Sequence, residues 1–134
     1  MPDGKSEQLP ILSSGDVVQV RQIVRKWVLE LGFSLVDQTK MVTAASELAR
    51  NTLDYGGGGT VRLDVINDGR RAGLRLTFED QGPGIPNLEL ALTDGYTTGN
   101  GMGLGLSGAR RLVNEFDIAT EVGKGTRVTI TRWK

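Results

Sequence analysis

The chain of 134 residues has 16 basic and 16 acidic side chains and a formal net charge of zero. This length suits one domain over residues 1–134. The balanced charge argues against a general nucleic-acid or membrane-surface binder. Cysteine and histidine are both absent, which excludes thiolate zinc sites, Ser-His-Asp catalysis and phosphohistidine within this chain. The N-terminal stretch is polar and no apolar run approaches the roughly 20 residues of a membrane span, so we expect a cytoplasmic protein.

Helical periodicity dominates the first part of the chain. Apolar residues recur every three or four positions over residues 17–31 and again over 35–54, which predicts two helices. Ser14 and Ser34 are the predicted N-caps, and glycines follow both helices. The preceding segment QLPILS is compatible with a short edge strand, because an edge tolerates proline.

The apolar period then changes from helical to alternating, which indicates half-buried strands. One pair of strands forms a hairpin around NDGRRAG, and a second pair flanks GKG. The predicted order is β-α-α-β-β-(α)-α-β-β, an α+β two-layer sandwich with helices on one face of a mixed, mainly antiparallel sheet. The predicted segments are strands at 60–67, 74–80, 117–122 and 127–133, and helices at 87–92 and 103–115.

A carboxylate and a carboxamide lie four residues apart in the second helix. Glu47 and Asn51 therefore project from one helix face. Such a pair suits general-base chemistry beside an oxygen-ligated ion such as Mg²⁺. An ordinary solvated helix face is the alternative, and for the pair alone it is the commoner explanation.

Asp80 ends the predicted strand 74–80. Strand alternation places it on the core-facing side, where a carboxylate needs hydrogen-bond donors. Gly82 and Gly84 follow at once and would let a ligand approach the backbone closely. A carboxylate in an apolar wall suits the exocyclic amine of a base such as adenine. The alternative is a turn aspartate that accepts hydrogen bonds from amides of its own loop.

Gly103, Gly105 and Gly108 spell G-x-G-x-x-G, the fingerprint of dinucleotide-binding proteins. That fingerprint requires a strand directly before the glycines and a doubly wound sheet, whereas a glycine-rich loop precedes them in a short chain. The prediction that remains is a phosphate site, because glycines let backbone amides at a helix start face an anion. We expect residues 94–102 to form a mobile lid.

The last glycine pair lies in the stretch GKGTRV. By itself this stretch indicates a plain hairpin turn. Thr126 begins the strand that follows, where its hydroxyl could support Asp80 at a purine.

Four stretches, in this order, resemble the GHKL group of ATP-binding proteins, which includes gyrase-type ATPases, heat-shock chaperones and histidine-kinase catalytic domains. ELARN resembles the N box, EDQGPGIP the first glycine box, TTGNGMGLGL the second and GKGT the third. Each motif is weak alone. Together they cover most of the chain, and their order is specific to the group.

Within this group the chain resembles the RsbT-type kinases of the stressosome, a signalling assembly built from STAS domains. The resemblance rests on the compact size, on DQTKMVTAASELARN and EDQGPGIP, and on the tryptophan close to the C-terminus. It implies a Bergerat fold, Mg²⁺-ATP and phosphorylation of a serine or threonine on STAS-domain partners. It also implies that the kinase then leaves the assembly for a different downstream protein.

The resemblance also implies roles for particular residues. By position, Asn51 resembles the Mg²⁺ ligand and Glu47 the catalytic base. Asp80 resembles the acceptor of the adenine amine, with Thr126 adding a hydrogen bond, directly or through water, and Gly84 allowing close approach. The remaining nucleotide-binding positions that it implies are Gly82, Ile85, Thr97, Thr98, Gly101, Met102, Gly103, Leu104 and Gly105.

The predicted lid departs from the family pattern. The lid of related proteins often carries a lysine or arginine for the γ-phosphate, and DGYTTGNGMG has neither. Backbone amides, the hydroxyls of Thr97 and Thr98, and Mg²⁺ would then hold the phosphates, or the substrate protein would complete the site. We therefore expect weak ATP affinity for the chain alone.

The leading functional prediction is a serine/threonine-protein kinase. A nucleotide-gated binding module with little catalysis, such as an anti-sigma factor of this fold, is the first alternative. A plain ATPase that transfers phosphate to water is the second.

Overall fold

The computed structural model describes residues 5–93 and 105–134. The predicted lid and the start of the predicted helix at Gly103 lie outside these ranges. Strands and helices follow one another in the predicted order. They are β1 (Ser6–Ile11), α1 (Ser14–Glu30), α2 (Leu35–Asp54), β2 (Gly59–Asn67), β3 (Ala72–Asp80), α3 (Leu88–Ala91), α4 (Gly105–Arg111), β4 (Glu115–Glu121) and β5 (Gly125–Trp133).

The described strands form one five-stranded sheet in the order β1-β2-β3-β5-β4. Every neighbouring pair in it is antiparallel, so the sheet is not the parallel one that a dinucleotide fold requires. The central strand β3 ends at Asp80, which lies opposite Gly59 on one side and Thr126 on the other. The predicted α+β sandwich is confirmed.

The hydrophobic core lies between the sheet and the helices α1 and α2. Alternate residues of β3 face it, as the period of two predicts, and Leu74, Leu76 and Phe78 are buried. Trp27 contributes the largest buried side chain from α1. None of the helices in residues 5–93 and 105–134 combines the length and apolarity that a membrane span needs.

The N-cap of α1 is Ser13, and the prediction of Ser14 is wrong by one residue. Ser13 Oγ accepts a hydrogen bond from the amide of Asp16 at 3.2 Å, and the Asp16 carboxylate accepts one from the amide of Leu12 at 2.8 Å. This reciprocal arrangement needs an acidic residue three positions after the cap, which selects Ser13 over its neighbour. Ser34 caps α2 as predicted.

The helix predicted to reach residue 115 ends earlier, at Arg111, and β4 begins at Glu115 rather than at residue 117. The amide of Asn114 donates to the carbonyl of Thr131 at 3.0 Å, so pairing with β5 begins here. The apolar residues between α4 and β4 fit both the helical and the strand period, so the sequence pattern alone does not fix where the helix ends. Pairing of this segment with β5 does. At the other end of the chain β1 likewise begins two residues before the predicted QLPILS segment.

Candidate functional site

A cavity of about 220 Å³ opens between α2, the end of β3, the loop after β3, and α4. Its walls are mostly apolar, and a few polar side chains converge on it, which is the usual composition of a small-molecule site. The apolar lining comprises Leu48, Phe78, Pro83, Ile85, Pro86, Ala91, Leu106 and Val128, together with the glycines Gly56, Gly84 and Gly105. The polar lining comprises Asn51, Thr52, Tyr55, Asp80 and Thr126.

Asp80 is half-buried at the edge of this cavity. Its Oδ1 accepts a hydrogen bond from the amide of Gly82 at 2.9 Å. The carboxylate thus makes the turn contact that the sequence left open as an alternative, and it also lines the cavity. Because an ionised carboxylate can accept about four hydrogen bonds, this single contact leaves most of its capacity unused.

Gly56 and Gly82 bring two loop backbones into contact beside Asp80. A Cβ atom on Gly82 would lie 2.7 Å from the carbonyl oxygen of Gly56, and one on Gly56 would lie 2.6 Å from Oδ2 of Asp80. The sequence analysis explained the small size of Gly82 by the close approach of a ligand. In the structure, the backbone of Gly56 is what lies close to Gly82. Gly82 does not line the cavity, and its amide donates to Asp80.

Gly84 has a φ of 76°, in the left-handed region that favours glycine. A Cβ atom there would overlap the carbonyl of Glu121 at the end of β4. Gly84 lines the cavity as predicted, but its small size also lets the loop after β3 cross the β4–β5 hairpin. The carbonyl of Pro83 accepts a 2.8 Å hydrogen bond from the amide of Gly123 in that hairpin.

A hydroxyl network joins the loop to the two last strands. Thr120 Oγ1 accepts a 2.9 Å hydrogen bond from the amide of Ile85 and lies 2.9 Å from Thr126 Oγ1, where either hydroxyl can donate. Thr126 and Ile85 were predicted as site residues, and Thr120 was missed. The sequence pattern that could have identified Thr120 is strand alternation. Thr120 lies two residues after Ile118, so both side chains are on the inward face of β4.

Asn51 lines the cavity, and Glu47 lies one helical turn before it on α2. Both side chains are half-buried. Within the described residues, neither side chain makes a hydrogen bond or ion pair, so both keep their polar atoms available. Glu47 does not line the cavity itself, which puts it at the margin of the site rather than in the wall.

Six of the predicted site residues lie outside the described residues: Thr97, Thr98, Gly101, Met102, Gly103 and Leu104. Gly105, the first residue of α4, lines the cavity. The structure therefore brings together the predicted residues that would face a base, namely Asp80, Gly84, Ile85 and Thr126. Of those that would face the metal and phosphates, it brings Asn51 and Gly105 to the same cavity.

The described part of the cavity wall contains no lysine or arginine. The cation nearest in sequence to Asn51 is Arg50, whose Nη1 donates to Ser14 Oγ at 3.3 Å, toward α1. No group of three or more acidic residues is placed to hold a metal within residues 5–93 and 105–134. A metal at this site would take most of its ligands from a bound molecule and water.

Sequence relatives agree with the motif order. The family model for histidine kinase-, DNA gyrase B-, and HSP90-like ATPases matches residues 36–134. The serine/threonine-protein kinase RsbT of Bacillus subtilis is 42% identical over 123 residues, which are 92% of each chain. The anti-sigma F factor of Clostridium kluyveri is 29% identical over 84% of this chain and 82% of its own. That of Geobacillus kaustophilus is 30% identical over 84% of this chain and 80% of its own.

Solved structures show the same fold. The RsbU and RsbW domains of a Mycobacterium tuberculosis protein match with a TM-score of 0.67 and 22% identity, over 99% of this chain and 33% of that longer chain. The nucleotide-free catalytic domain of the histidine kinase ThkA matches with a TM-score of 0.54 and 14% identity, over 98% of this chain and 95% of its own. At these identities the likeness concerns the fold alone, and it confirms the predicted Bergerat type.

The resemblance predicted from the N box and the three glycine boxes is confirmed by the family match and by the extent of the match to RsbT. An ATP-using fold and an activity on protein hydroxyls follow from the same matches. The chain belongs to the family of histidine kinase-, DNA gyrase B-, and HSP90-like ATPases, and within it to the serine/threonine-protein kinases.

Proposed function

We propose that this kinase uses Mg²⁺-ATP to phosphorylate a serine or threonine on STAS-domain proteins of a stressosome. It then leaves them for a second, downstream regulatory protein. The observation that carries the nucleotide half of the proposal is Asp80, a carboxylate with spare acceptor capacity in the wall of an otherwise apolar cavity.

The cavity fits an adenine ring. Phe78, Ile85 and Val128 provide apolar surface for the faces of the ring. Asp80 would accept a hydrogen bond from the exocyclic amine, and this contact selects adenine over a base with a carbonyl at that position. The Thr126 hydroxyl lines the cavity and lies 2.9 Å from that of Thr120, and a hydroxyl oxygen with one such partner can still accept a further hydrogen bond. It would therefore add a second polar contact to the ring.

Asn51 would hold the Mg²⁺ ion through its amide oxygen. An ion with one protein ligand suits Mg²⁺, which commonly keeps waters and takes its other ligands from substrate phosphates. When bound, the ion neutralises charge that develops on the phosphates. The phosphates would lie toward Gly105 and the positions outside the described residues, namely Thr97, Thr98, Gly101, Met102, Gly103 and Leu104.

Glu47 would act as the catalytic base. It would take the proton from the acceptor hydroxyl while the hydroxyl oxygen forms a bond to the γ-phosphorus and the bond to the β-phosphate oxygen breaks, releasing ADP. Its position one turn from Asn51, outside the cavity wall and without a described partner, suits contact with a protein substrate at the mouth of the site.

The wider setting of the proposal is a cytoplasmic kinase of one domain over residues 1–134, with protein partners and no nucleic acid or membrane. We propose weak ATP affinity for the chain alone, because no lysine or arginine lines the described part of the cavity. In that case the substrate protein would complete the phosphate side of the site.

A nucleotide-gated binding module is a second candidate. It is favoured by the identity of about 30% to anti-sigma F factors over most of the chain. In this version the bound nucleotide controls which partner is held, and transfer of phosphate is slow.

The test incubates the purified chain with Mg²⁺-ATP and the STAS-domain protein encoded nearest to its gene, followed by phosphoamino-acid analysis. Phosphoserine or phosphothreonine on the STAS protein is the expected result. Partner binding that differs between ATP and ADP with no transfer would support the binding module. Steady ADP release without any protein partner would instead indicate a plain ATPase.

A further inference from the structure

Arg132, near the end of β5, is remote from the cavity and yet contacts two of the elements that form it. Arg132 lies opposite Leu74 in the sheet, so its side chain is on the face that the helices cover. Nη1 donates to the carbonyl of Leu112, directly after α4, at 2.9 Å. Nη2 donates to the carboxylate of Asp37 in the first turn of α2.

The Arg132 side of these contacts is largely shielded from water, whereas Asp37 is half-buried. The Arg132 side chain is 13% exposed, and its Nε is buried without a hydrogen-bond partner among the described residues. Burying a donor in this way is unfavourable, so the two Nη contacts must compensate for it. The position of Arg132 at the end of a helix also suits a cation, since the last carbonyls of α4 carry partial negative charge. The side chain of Arg132 is thus fixed between α2, α4 and β5.

The three elements joined by Arg132 each supply residues to the cavity at their other ends. β5 supplies Thr126, α2 supplies Asn51, and α4 supplies Gly105 and Leu106. A helix rises about 1.5 Å per residue, so the carbonyl of Leu112 is roughly 10 Å along the axis from Gly105. A rigid-body displacement of α4 at this end would reach the cavity wall, because the helix spans only Gly105–Arg111.

The fully buried face of α4 consists of small residues. The buried residues of α4 are Ser107, Gly108 and Ala109. Small side chains allow close approach of the two helices, but they form no large ridges that would interlock with grooves on the partner. Leu106 and Leu112 also pack against the core, and the hydrogen bond from Arg132 to the Leu112 carbonyl acts together with these apolar contacts to position the helix.

We propose that Arg132 is a positioning residue for nucleotide binding: by holding the Leu112 carbonyl beside the first turn of α2, it sets the place of Gly105 and Leu106 in the cavity wall. The inference rests on the proposal that this cavity binds ATP. It assigns Arg132 no contact with the nucleotide.

The experiment compares Arg132→Met, which keeps the apolar stem, with Asp37→Asn, which leaves the bond to Leu112 in place. Arg71→Met is the matched control, since Arg71 stacks on Trp133 at the same end of the sheet, 4.7 Å from the ring centre, without contacting α4. Three quantities are measured on each full chain: the Kd for ATP with Mg²⁺, the kcat for phosphate transfer to a STAS-domain acceptor at saturating ATP, and amide hydrogen exchange of α4 without nucleotide.

For Arg132→Met we expect the Kd for ATP to rise roughly tenfold while kcat at saturating ATP changes by less than about twofold, the signature of a lost binding contribution. Amide exchange should speed up in α4 and stay unchanged in α1. Asp37→Asn should show the same pattern with a change of about threefold, and Arg71→Met should show neither effect.

An unchanged Kd in a folded Arg132→Met variant would overturn the inference, as would a raised Kd without faster exchange in α4. An equal rise in Arg71→Met would overturn it too, because the effect would then be general. If Arg132→Met does not fold, the test rests on Asp37→Asn. An unchanged Kd for ATP in that variant would count against the proposal. Absence of ATP binding by the wild-type chain would instead refute the proposed function, and the inference with it.

Discussion

Two aspartates at opposite ends of the fold are used in opposite ways. Asp37, on the first turn of α2, faces the Arg132 guanidinium, which holds the pKa of that carboxyl below its usual range despite partial burial. Asp80, at the end of β3, faces a cavity, and its one hydrogen bond in the described part of the chain comes from the amide of Gly82. Both carboxylates are half-buried, but only that of Asp37 has a cation beside it.

The difference shows where this fold keeps capacity for a ligand. Near Asp37 the side-chain charges compensate one another, and the contacts join α2, α4 and β5. Near Asp80 the backbone is tightly packed through Gly56 and Gly82, while most of the acceptor capacity of the Asp80 carboxylate is unused within the described residues. Rigid backbone around unsatisfied side chains is the arrangement that favours a binding site, because little has to be reorganised when the ligand arrives. Asp80→Asn should therefore act on ATP binding with little change in stability, whereas Asp37→Asn should lower stability and change ATP affinity only about threefold, through its bond to Arg132.

Asp80→Asn should have the largest effect, a loss of ATP binding of roughly 10³-fold or more, because the amide NH₂ would face the donor that the carboxylate accepts. Calorimetry with ATP and Mg²⁺ measures this loss. The Asn oxygen can still accept the hydrogen bond from Gly82, so thermal unfolding should change little. Unchanged ATP affinity would mean that Asp80 only stabilises the turn after β3, by accepting the hydrogen bond from Gly82.

Glu47→Gln should lower the rate of phosphate transfer to a STAS-domain acceptor by about 10²- to 10³-fold, since an amide cannot accept the proton. ATP affinity should change by less than about threefold, because Glu47 is not part of the cavity wall. Radiolabel transfer under single-turnover conditions gives the rate. Glu89→Gln, on the exposed surface of α3, is the control, and a loss of similar size in that variant would remove the special role of Glu47.

Thr120→Val should weaken ATP binding by roughly tenfold, because the amide of Ile85 and the hydroxyl of Thr126 both lose a partner. The measurement is again the Kd for ATP. Thr129→Val makes the same replacement on β5, at a position that faces away from the helices, and should leave the Kd unchanged. Equal losses in both variants would mean that β-sheet stability, and not the hydroxyl network, is responsible.

Asp37→Asn should have the smallest effect, a loss of about 1 kcal/mol in the free energy of unfolding at pH 7. Because the folded pKa of Asp37 is depressed, the ion pair stabilises fully above the unfolded pKa and is lost as pH falls through the folded value. The difference between wild type and variant should therefore shrink below about pH 5. Urea unfolding at a series of pH values measures it, and a difference that grows toward acid would contradict the assignment.

Local pattern was sufficient to place several residues of the site. Helical spacing put Glu47 and Asn51 on one face of α2, and strand alternation put Asp80 in line with the buried face of β3. Both inferences need only the period of the element and its approximate bounds. The end of the helix after Gly105 was misjudged because its last apolar residues fit either period, and pairing of β4 with β5 decided between them.

Residue type and spacing by themselves determined the α+β class, the order of the elements, the family and the base-facing half of the candidate site, since each of these depends on local periodicity and short motifs. Tertiary structure alone decided that Thr120 supports Ile85 and Thr126, that Gly56 makes room for Asp80, and that Arg132 joins α2 to α4. These contacts connect residues far apart in the chain. No local period encodes them, because they depend on how strands and helices from different parts of the sequence meet.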